Sequence, residues 1–388
     1  MKISQAPAER PTAVLVLADG TTVYGQGVGA AGEAVGEVCF NTAMTGYQEI
    51  LTDLSYAGQL ITFTAPHIGN VGVNADDVES DSKSMAARGA IFRAVPTNPS
   101  NYRAQLDISP WMRRRGIVGI AGVDTRALTA LIRERGMPHG VIAHNPSGQF
   151  DIEALKKRAA EWAGLEGRDL AKDVTTLQSY AHTEKGWAWD EGYGVHDGSG
   201  PHIVVMDFGV KRNILRRLAA EGCRVSVVTA KASYDEIMEK NPDGVVLSNG
   251  PGDPAATGEY VVPVIRKLIE NKIPTLGICL GHQMLALAAG AKTKKMPQGH
   301  HGANHPVKDL STGKVEVVSM NHGFTVDGAA LPANVEETHV SLFDGTNCGI
   351  ALKDAPAFSV QHHPEASPGP EDSFYIFRRF VDGLKKAA

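Results

Sequence analysis

Hydrophobic and polar positions change their spacing along this chain of 388 residues. Near the start, the apolar run Ala13–Leu17 and the β-branched and aromatic run 21–24 flank an Asp-Gly pair, which predicts two strands joined by a tight turn. Residues 127–135 have helical spacing, with Asp124 as a suitable N-cap and Gly136 as a stop signal. The first part of the chain is therefore predicted to be a mixed α/β domain.

After residue 200 the pattern becomes regular. Short apolar runs alternate with helical stretches, which predicts a mostly parallel open sheet flanked by helices. The predicted strands are 203–206, 225–228, 245–247 and 273–278, and the helical stretches include 214–221 and 261–270. In such sheets ligands bind beyond the carboxyl ends of the strands, so we expect the chemistry to follow the apolar runs.

A stretch rich in glycine and charged residues separates these two patterns. Residues 183–200 lack apolar periodicity and end in a Gly-Ser-Gly sequence. We therefore predict a domain over residues 1–182, a linker over 183–200 and a second domain over 201–388.

Composition narrows the possible functions. Hydrophobic residues make up 43% of the chain and charged residues 21%, a balance typical of a protein that buries substantial cores. The net charge is -5, so the protein has no overall positive potential that would attract nucleic acid. No apolar run predicts a membrane span or a signal core, and the four cysteines form no CxxC pair, which indicates a reducing cytoplasm. The Gly27-x-Gly29-x-x-Gly32 spacing precedes a strand-like segment, so turn glycines explain it better than a dinucleotide site.

The sequence Gly277-Ile-Cys279-Leu-Gly281 lies between a predicted strand and a predicted helix. It has the form of a nucleophile elbow with cysteine in place of serine. The positive potential at a helix N-terminus favours the thiolate, which is the reactive form. A buried, inert cysteine is the alternative interpretation.

A cysteine nucleophile needs a base and a group that orients the base. Residues two apart in an extended segment point the same way, so Glu365 can hold the ring of His363 while its other nitrogen faces Cys279. After the strand 245–247, the glycines of Ser-Asn-Gly-Pro-Gly-Asp-Pro can bring amide N–H groups to a developing oxyanion. An ordinary turn is the alternative interpretation of those glycines.

The motifs SNGPGDP, GICLGHQ and HPEAS, in this order, resemble a class I glutamine amidotransferase domain over nearly all of residues 201–388. The resemblance implies that Cys279 attacks the side-chain amide of glutamine, His363 acts as acid and base, and Glu365 orients His363. It also implies an oxyanion hole formed by the amides of Gly252 and Leu280. Gln283 is expected to recognise the substrate.

Residues 13–180 contain ADGTTVYGQG, GEVCFNTAMTGYQEILTDLSY, PHIGNVGVN and VDTRALT, which resemble the amino-terminal domain of carbamoyl-phosphate synthetase small subunits. That resemblance adds further residues to the glutamine site: Ser55, Gly250, Asn321, Gly323 and Phe324. One departure is His362, where relatives often have a smaller or aromatic residue, so two adjacent histidines compete for the role of base. The histidines 300, 301 and 305 are not expected to bind a metal.

The family resemblance implies a glutaminase that passes ammonia to a large subunit, which makes carbamoyl phosphate from bicarbonate and ATP for pyrimidine and arginine synthesis. No cofactor is expected on this chain, because ATP and Mg²⁺ would bind the partner. Two other functions remain open at this point. One is a glutaminase subunit of another synthetase, and the other is a catalytically silent docking or regulatory subunit.

Overall fold

The computed structural model describes residues 10–80, 86–190 and 192–387. The chain forms two compact units, which we call the first and second units. The first unit comprises Met1–Glu166 with Pro297–His301, and the second comprises Gly167–Met296 with Gly302–Ala388.

The first unit is a barrel with helices outside it. Its described strands close in the order β1-β2-β6-β5-β4-β3-β7. They are β1 (Ala13–Leu17), β2 (Thr22–Gly29), β3 (Gly32–Asn41), β4 (Gln59–Phe63), β5 (Gly89–Ile91), β6 (Val118–Ala121) and β7 (His139–His144). Its helices are α1 (Tyr47–Thr52), α2 (Ile108–Arg115), α3 (Thr125–Arg135) and α4 (Ile152–Ala160), with a 3-10 turn at Leu54–Tyr56.

Local signals in the first unit are confirmed. β1 and β2 form the predicted antiparallel hairpin. The Asp124 side chain accepts a hydrogen bond from the amide of Ala127 and caps α3, while Gly136 ends this helix with φ 85°. The Gly27-x-Gly29-x-x-Gly32 sequence runs from β2 into β3, so the strand-turn-helix context of a dinucleotide site is missing there.

The second unit contains an extended sheet and its covering helices, and residues 297–301 within one of its strands are assigned to the first unit. Its strands are β8 (Tyr180–His182), β9 (Glu184–Ala188), β10 (Gly192–Val195), β11 (His202–Asp207), β12 (Arg224–Thr229), β13 (Gly244–Leu247), β14 (Thr275–Ile278), β15 (Thr293–Asp309), β16 (Val315–Val326), β17 (Val335–Ser341), β18 (Asn347–Leu352) and β19 (Ala357–Val360). Its helices are α5 (Ala171–Val174), α6 (Arg212–Ala220), α7 (Tyr234–Met238), α8 (Pro254–Glu270), α9 (Leu280–Ala288) and α10 (Tyr375–Ala387).

The central strands of this sheet are parallel, as predicted. In the described part of the chain the sheet has the order β16-β15-β17-β18-β19-β14-β13-β11-β12-β8. Strands β12, β11, β13, β14 and β19 run parallel, and antiparallel strands extend the sheet at both sides. Alternate residues of β11 fill opposite faces: Val204 packs in the same cluster as residues of α8 and α9, and Val205 packs with residues of α6 and α10.

The boundary between the compact units differs from the prediction. The units divide at Glu166 and Gly167, and β8 pairs with β12 in the sheet of the second unit. The predicted linker 183–200 contains the hairpin β9–β10, in which Tyr193 lies under the guanidinium of Arg216, 3.9 Å from the ring centroid. Short strands rich in glycine carry little hydrophobic periodicity, so contacts made with distant residues set this boundary.

No helix within the described ranges is long and apolar enough to cross a membrane.

Candidate active site

Cys279 occupies a strained turn between β14 and α9. Its torsions are φ 55° and ψ -104°, and only 2% of the residue is exposed. A Cβ at Gly277 would lie 2.6 Å from the Gly281 carbonyl oxygen, and a Cβ at Gly281 would lie 2.1 Å from that of Leu247. The two glycines are required because backbone approaches backbone on both sides of the cysteine. This geometry is that of a nucleophile elbow.

His363 and Glu365 form a buried pair. Nδ1 of His363 lies 2.6 Å from Oε1 of Glu365, and the two residues are 1% and 0% exposed. The backbone amide of His363 donates to the carbonyl of Ser319 at 2.9 Å. Nε2 of His363 is also buried, and the ring interacts with Cys279. The ring is thus fixed at Nδ1 and keeps Nε2 available for proton transfer.

Opposite charges hold this pair ionised against the cost of burial. Burial lowers the pKa of His363, but Glu365 and Cys279 outweigh it and raise the value to about 10. Burial likewise raises the pKa of Glu365, but Lys211 and His363 reverse this effect and bring it to about 2. The imidazolium and the carboxylate are therefore the favoured forms at neutral pH.

Lys211 is a further candidate residue of this site, and the sequence alone did not predict it. Its Nζ lies 3.0 Å from Oε1 of Glu365, and only 3% of the residue is exposed. Nζ also donates to the carbonyl of Ala366. One signal was present in the sequence, because Lys211 follows the apolar strand β11 and therefore lies at the carboxyl edge of the parallel sheet.

The adjacent His362 has different surroundings. Its ring lies 5.7 Å from that of His339, measured between centroids, and neither ring nitrogen has a hydrogen-bond partner among the described residues. Burial lowers its pKa well below the usual value, and repulsion from His339 and His363 adds to this effect. The structure thus brings Glu365 to His363 and leaves His362 an uncharged neighbour.

The other predicted residues of the second unit lie around this elbow. Sγ of Cys279 is 3.5 Å from the carbonyl oxygen of Asn321. The amide group of Gln283 donates to the Phe324 carbonyl at 2.8 Å and to Oε1 of Gln361 at 2.9 Å. Leu280 is the first residue of α9, where an amide N–H has no acceptor within the helix.

The glycines after β13 allow two backbone segments to approach closely. A Cβ at Gly250 would lie 2.1 Å from the Phe208 carbonyl oxygen, and Gly252 has φ 95°. Gly323 lies within β16, next to Phe324. Ser55 belongs to the first unit, where its amide donates to Oδ1 of Asp53 at 2.9 Å, so its part in a glutamine site stays a prediction.

Within the described ranges, no group of three histidine, cysteine, aspartate or glutamate side chains is arranged to hold a metal ion.

Two family models match the chain. The model described as glutamine amidotransferase class-I matches residues 204–382, and the model described as carbamoyl-phosphate synthase small chain, CPSase domain, matches residues 15–142. Among solved structures, a glutamine amidotransferase from Thermotoga maritima aligns with 49% of this chain and 86% of its own, with 20% identity. Its TM-score is 0.36, too low to carry an argument.

Curated relatives match almost the whole length. A carbamoyl phosphate synthase small chain from Caulobacter vibrioides is 66% identical over 97% of this chain and 97% of its own. Proteins of the same name from Mesorhizobium japonicum and Brucella anthropi are each 63% identical over 97% of this chain, and cover 96% and 93% of their own lengths. From the geometry of the elbow and these matches together, the chain belongs to the carbamoyl phosphate synthase small chain family, and its second unit carries the class I glutamine amidotransferase domain.

Proposed function

We propose that this chain hydrolyses L-glutamine to glutamate and ammonia, and supplies the ammonia for carbamoyl phosphate synthesis. One observation carries this proposal. Cys279 has a left-handed φ at the start of α9, and the same unit contains a buried histidine, His363, whose Nδ1 is held 2.6 Å from the Glu365 carboxylate. This combination supplies a nucleophile, a proton carrier and a group that orients the carrier.

In the first half of the reaction, the Cys279 thiolate attacks the amide carbon of glutamine. The carbonyl oxygen becomes negative, and we assign its stabilisation to the amides of Gly252 and Leu280, each contributing on the order of 3 kcal/mol. The His363 imidazolium then gives its Nε2 proton to the leaving nitrogen. Ammonia departs, a glutamyl thioester remains on Cys279, and His363 is neutral.

In the second half, neutral His363 removes a proton from water as the water attacks the thioester. The tetrahedral intermediate collapses to glutamic acid and the Cys279 thiolate, and His363 is an imidazolium again. Glutamate then leaves as the carboxylate and releases one proton to solvent. Glu365 keeps Nδ1 hydrogen-bonded throughout, so that only Nε2 exchanges protons.

Within the second unit, we assign glutamine recognition to Gly250, Gln283, Asn321, Gly323 and Phe324. In the second unit, the hydrogen bonds of Gln283 to the Phe324 carbonyl and to Gln361 fix the orientation of its amide group. Held in this way, Gln283 loses little further conformational freedom when substrate binds. The assignment of these residues rests on their family motifs and on this support.

The partner that we propose is the large subunit of carbamoyl phosphate synthetase. It would consume the ammonia with bicarbonate and two ATP, for pyrimidine and arginine biosynthesis, and would hold the ATP and Mg²⁺. We propose no cofactor for this chain. The reducing cytoplasm is the proposed location, which agrees with four buried cysteines that form no disulfide bond.

Ammonia release from glutamine tests the proposal, measured with and without the large subunit, ATP and bicarbonate. We expect release that increases on assembly of the complete enzyme and is abolished by Cys279→Ser. Cys223→Ala is the matched control, because Cys223 is also buried but lies between α6 and β12, outside the elbow. Equal release by wild type and Cys279→Ser would contradict the nucleophile and favour a docking subunit. Stimulation by a different synthetase would favour the alternative partner.

A further inference from the structure

The nucleophile and the base lie on different strands. Cys279 follows β14 and His363 follows β19, and these strands are parallel neighbours in which Ile278 is opposite Val360. The amide of Cys279 donates to the Val360 carbonyl at 2.9 Å. That backbone hydrogen bond fixes the end of β14. It does not fix the direction of α9 or of the Cys279 side chain, which must be set by other contacts.

A buried side-chain hydrogen bond provides such a contact. His282 lies on α9, three residues after Cys279, and its Nδ1 is 2.9 Å from Oγ of Ser359 on β19. Both residues are 0% exposed. Ser359 is opposite Gly277 across the two strands. The bond therefore joins the first turn of the helix that begins at the nucleophile to the strand that leads to the base.

The surroundings of His282 fix its proton. Burial is the largest cause that lowers its pKa, to about 3, and repulsion from His339 adds to it, so the ring is neutral. Asn347 on β18 interacts with the ring and acts in the opposite direction. Oδ1 of Asn347 and Nε2 of His282 are both buried, and neither atom has a hydrogen-bond partner within normal distance and angle among the described residues. We place the proton on Nε2, facing this acceptor, so the Ser359 hydroxyl donates to Nδ1.

We propose that His282 and Ser359 are positioning residues that set the distance between Cys279 and His363. Neither residue is assigned a contact with glutamine. The inference rests on the proposed glutaminase reaction, and it adds a hydrogen bond that positions the reacting residues without contacting glutamine. Because the bond is enclosed and directional, its loss lets the start of α9 shift against β19 without unfolding the sheet.

The consequence belongs to the chemical step. A displacement of about 1 Å between reacting groups can lower a rate on the order of 100-fold. Glutamine binding depends on other residues, so the KM should change far less than kcat. The same displacement should also weaken the interaction between the Cys279 thiolate and the His363 imidazolium, which alkylation of Cys279 reports without any turnover.

Four variants test the proposal in the full chain. Ser359→Ala removes the donor, and His282→Gln places its amide near the position of Nε2 instead of Nδ1. His282→Asn places an amide near Nδ1 and serves as the conservative rescue. Ser226→Ala is the matched control, because His202 Nε2 lies 2.8 Å from Oγ of Ser226 in the same sheet, on strands without a proposed catalytic residue.

Two quantities are measured for each variant: kcat and KM for glutamine, and the pH dependence of alkylation by chloroacetamide, with Cys279→Ser as the background. We expect Ser359→Ala and His282→Gln to lower kcat between about 10-fold and 100-fold, with KM changed less than about twofold. The acidic limb of their alkylation profiles should move to higher pH. His282→Asn should retain more activity than His282→Gln, and Ser226→Ala should match wild type.

Unchanged kcat and unchanged alkylation profiles in Ser359→Ala and His282→Gln would overturn the proposal. So would a fall in the number of alkylatable sites with normal kcat per site, because that result indicates only partial unfolding. Absence of ammonia release by wild type and its complete enzyme would count against the proposed function instead. The alkylation profiles would still decide whether His282 and Ser359 position Cys279.

Discussion

Lys211 shows how one side chain changes the state of its neighbours. It lies 3.0 Å from Glu365, and both residues are almost completely buried. Burying a carboxylate without a cation reduces the free energy of unfolding. Here the Lys211 ammonium and the His363 imidazolium both balance the charge of Glu365. The geometry makes Lys211 a positioning residue that keeps Glu365 ionised and directed at His363.

Lys211→Met should lower stability by about 3 kcal/mol, because it leaves a buried carboxylate with one cation fewer. We also expect kcat to fall about 10-fold or more, since Glu365 holds Nδ1 of His363 less firmly. Urea unfolding and ammonia release measure the two effects. Lys294→Met is the control: Lys294 is 59% exposed and pairs with Asp327 at the surface, so a change within about 1 kcal/mol is expected. Equal effects of both substitutions would refute the role of Lys211.

The stability that the Lys211–Glu365 pair contributes depends on pH, and the pKa shift of Glu365 gives the sign. The folded-state pKa of Glu365, about 2, is below its usual value of 4.5. Its contribution to stability is therefore complete above about pH 4.5 and is lost as the pH falls through 2. In Lys211→Met the pKa of Glu365 should rise, so acid unfolding should begin at higher pH than in the wild type.

The strand-turn-helix element β14–Cys279–α9 depends on its glycines. The close approach of Gly281 to the Leu247 carbonyl leaves no room for a Cβ, which would lie 2.1 Å from that oxygen. The neighbouring atom is backbone of the buried strand β13, so it cannot rotate away. Relief requires α9 to move as a whole, and Cys279 moves with it.

Gly281→Ala should therefore abolish detectable glutaminase activity and destabilise the chain by several kcal/mol, on the order of other overpacked sites. The control is Gly383→Ala in α10, where no atom lies within 4 Å of the added Cβ. That substitution should stabilise the protein by about 0.5 to 1 kcal/mol, because alanine favours the helix. Thermal unfolding and ammonia release compare the two. A fully active Gly281→Ala would refute the close approach.

At the scale of the whole molecule, buried histidines of the second unit make stability depend on pH. His282 and His339 both belong to the second unit. Burial is the main cause that lowers the pKa of His282 to about 3 and that of His339 to about 4. Proton uptake by these rings therefore favours unfolding of the second unit.

Stability should fall as the pH drops below about 6.5, because His282 and His339 bind protons in the unfolded chain but stay neutral in the folded second unit. At pH 5 each imidazole should cost on the order of 2 kcal/mol, and the effect should level off as the pH approaches the folded-state values. Thermal midpoints between pH 7 and pH 4.5 measure this dependence. His282→Asn removes one titrating group and should flatten it. An unchanged slope in that variant would exclude His282 as a cause.

The sequence alone determined the local features of this protein. The β1–β2 hairpin, the capped helix α3 and the alternation of strands and helices after residue 200 follow from patterns between near neighbours. The elbow at Cys279 is equally local, because glycines on both sides of the strand end permit its tight turn. His363 and Glu365 are also near neighbours, but they pair across a turn in which the Ala366 amide donates to the His363 carbonyl at 3.1 Å, so the extended segment predicted from the sequence is wrong.

Only the tertiary structure decided which distant residues support that site. The contact of Lys211 with Glu365, the bond of His282 to Ser359 and the position of His339 beside His362 join segments far apart in the chain. The closed barrel and the division at Glu166 likewise depend on which strands pair. Hydrophobic periodicity specifies the face that each element buries but not its neighbour. Burial and charge pairing, which set the protonation of these groups, therefore appear only once the sheets have formed.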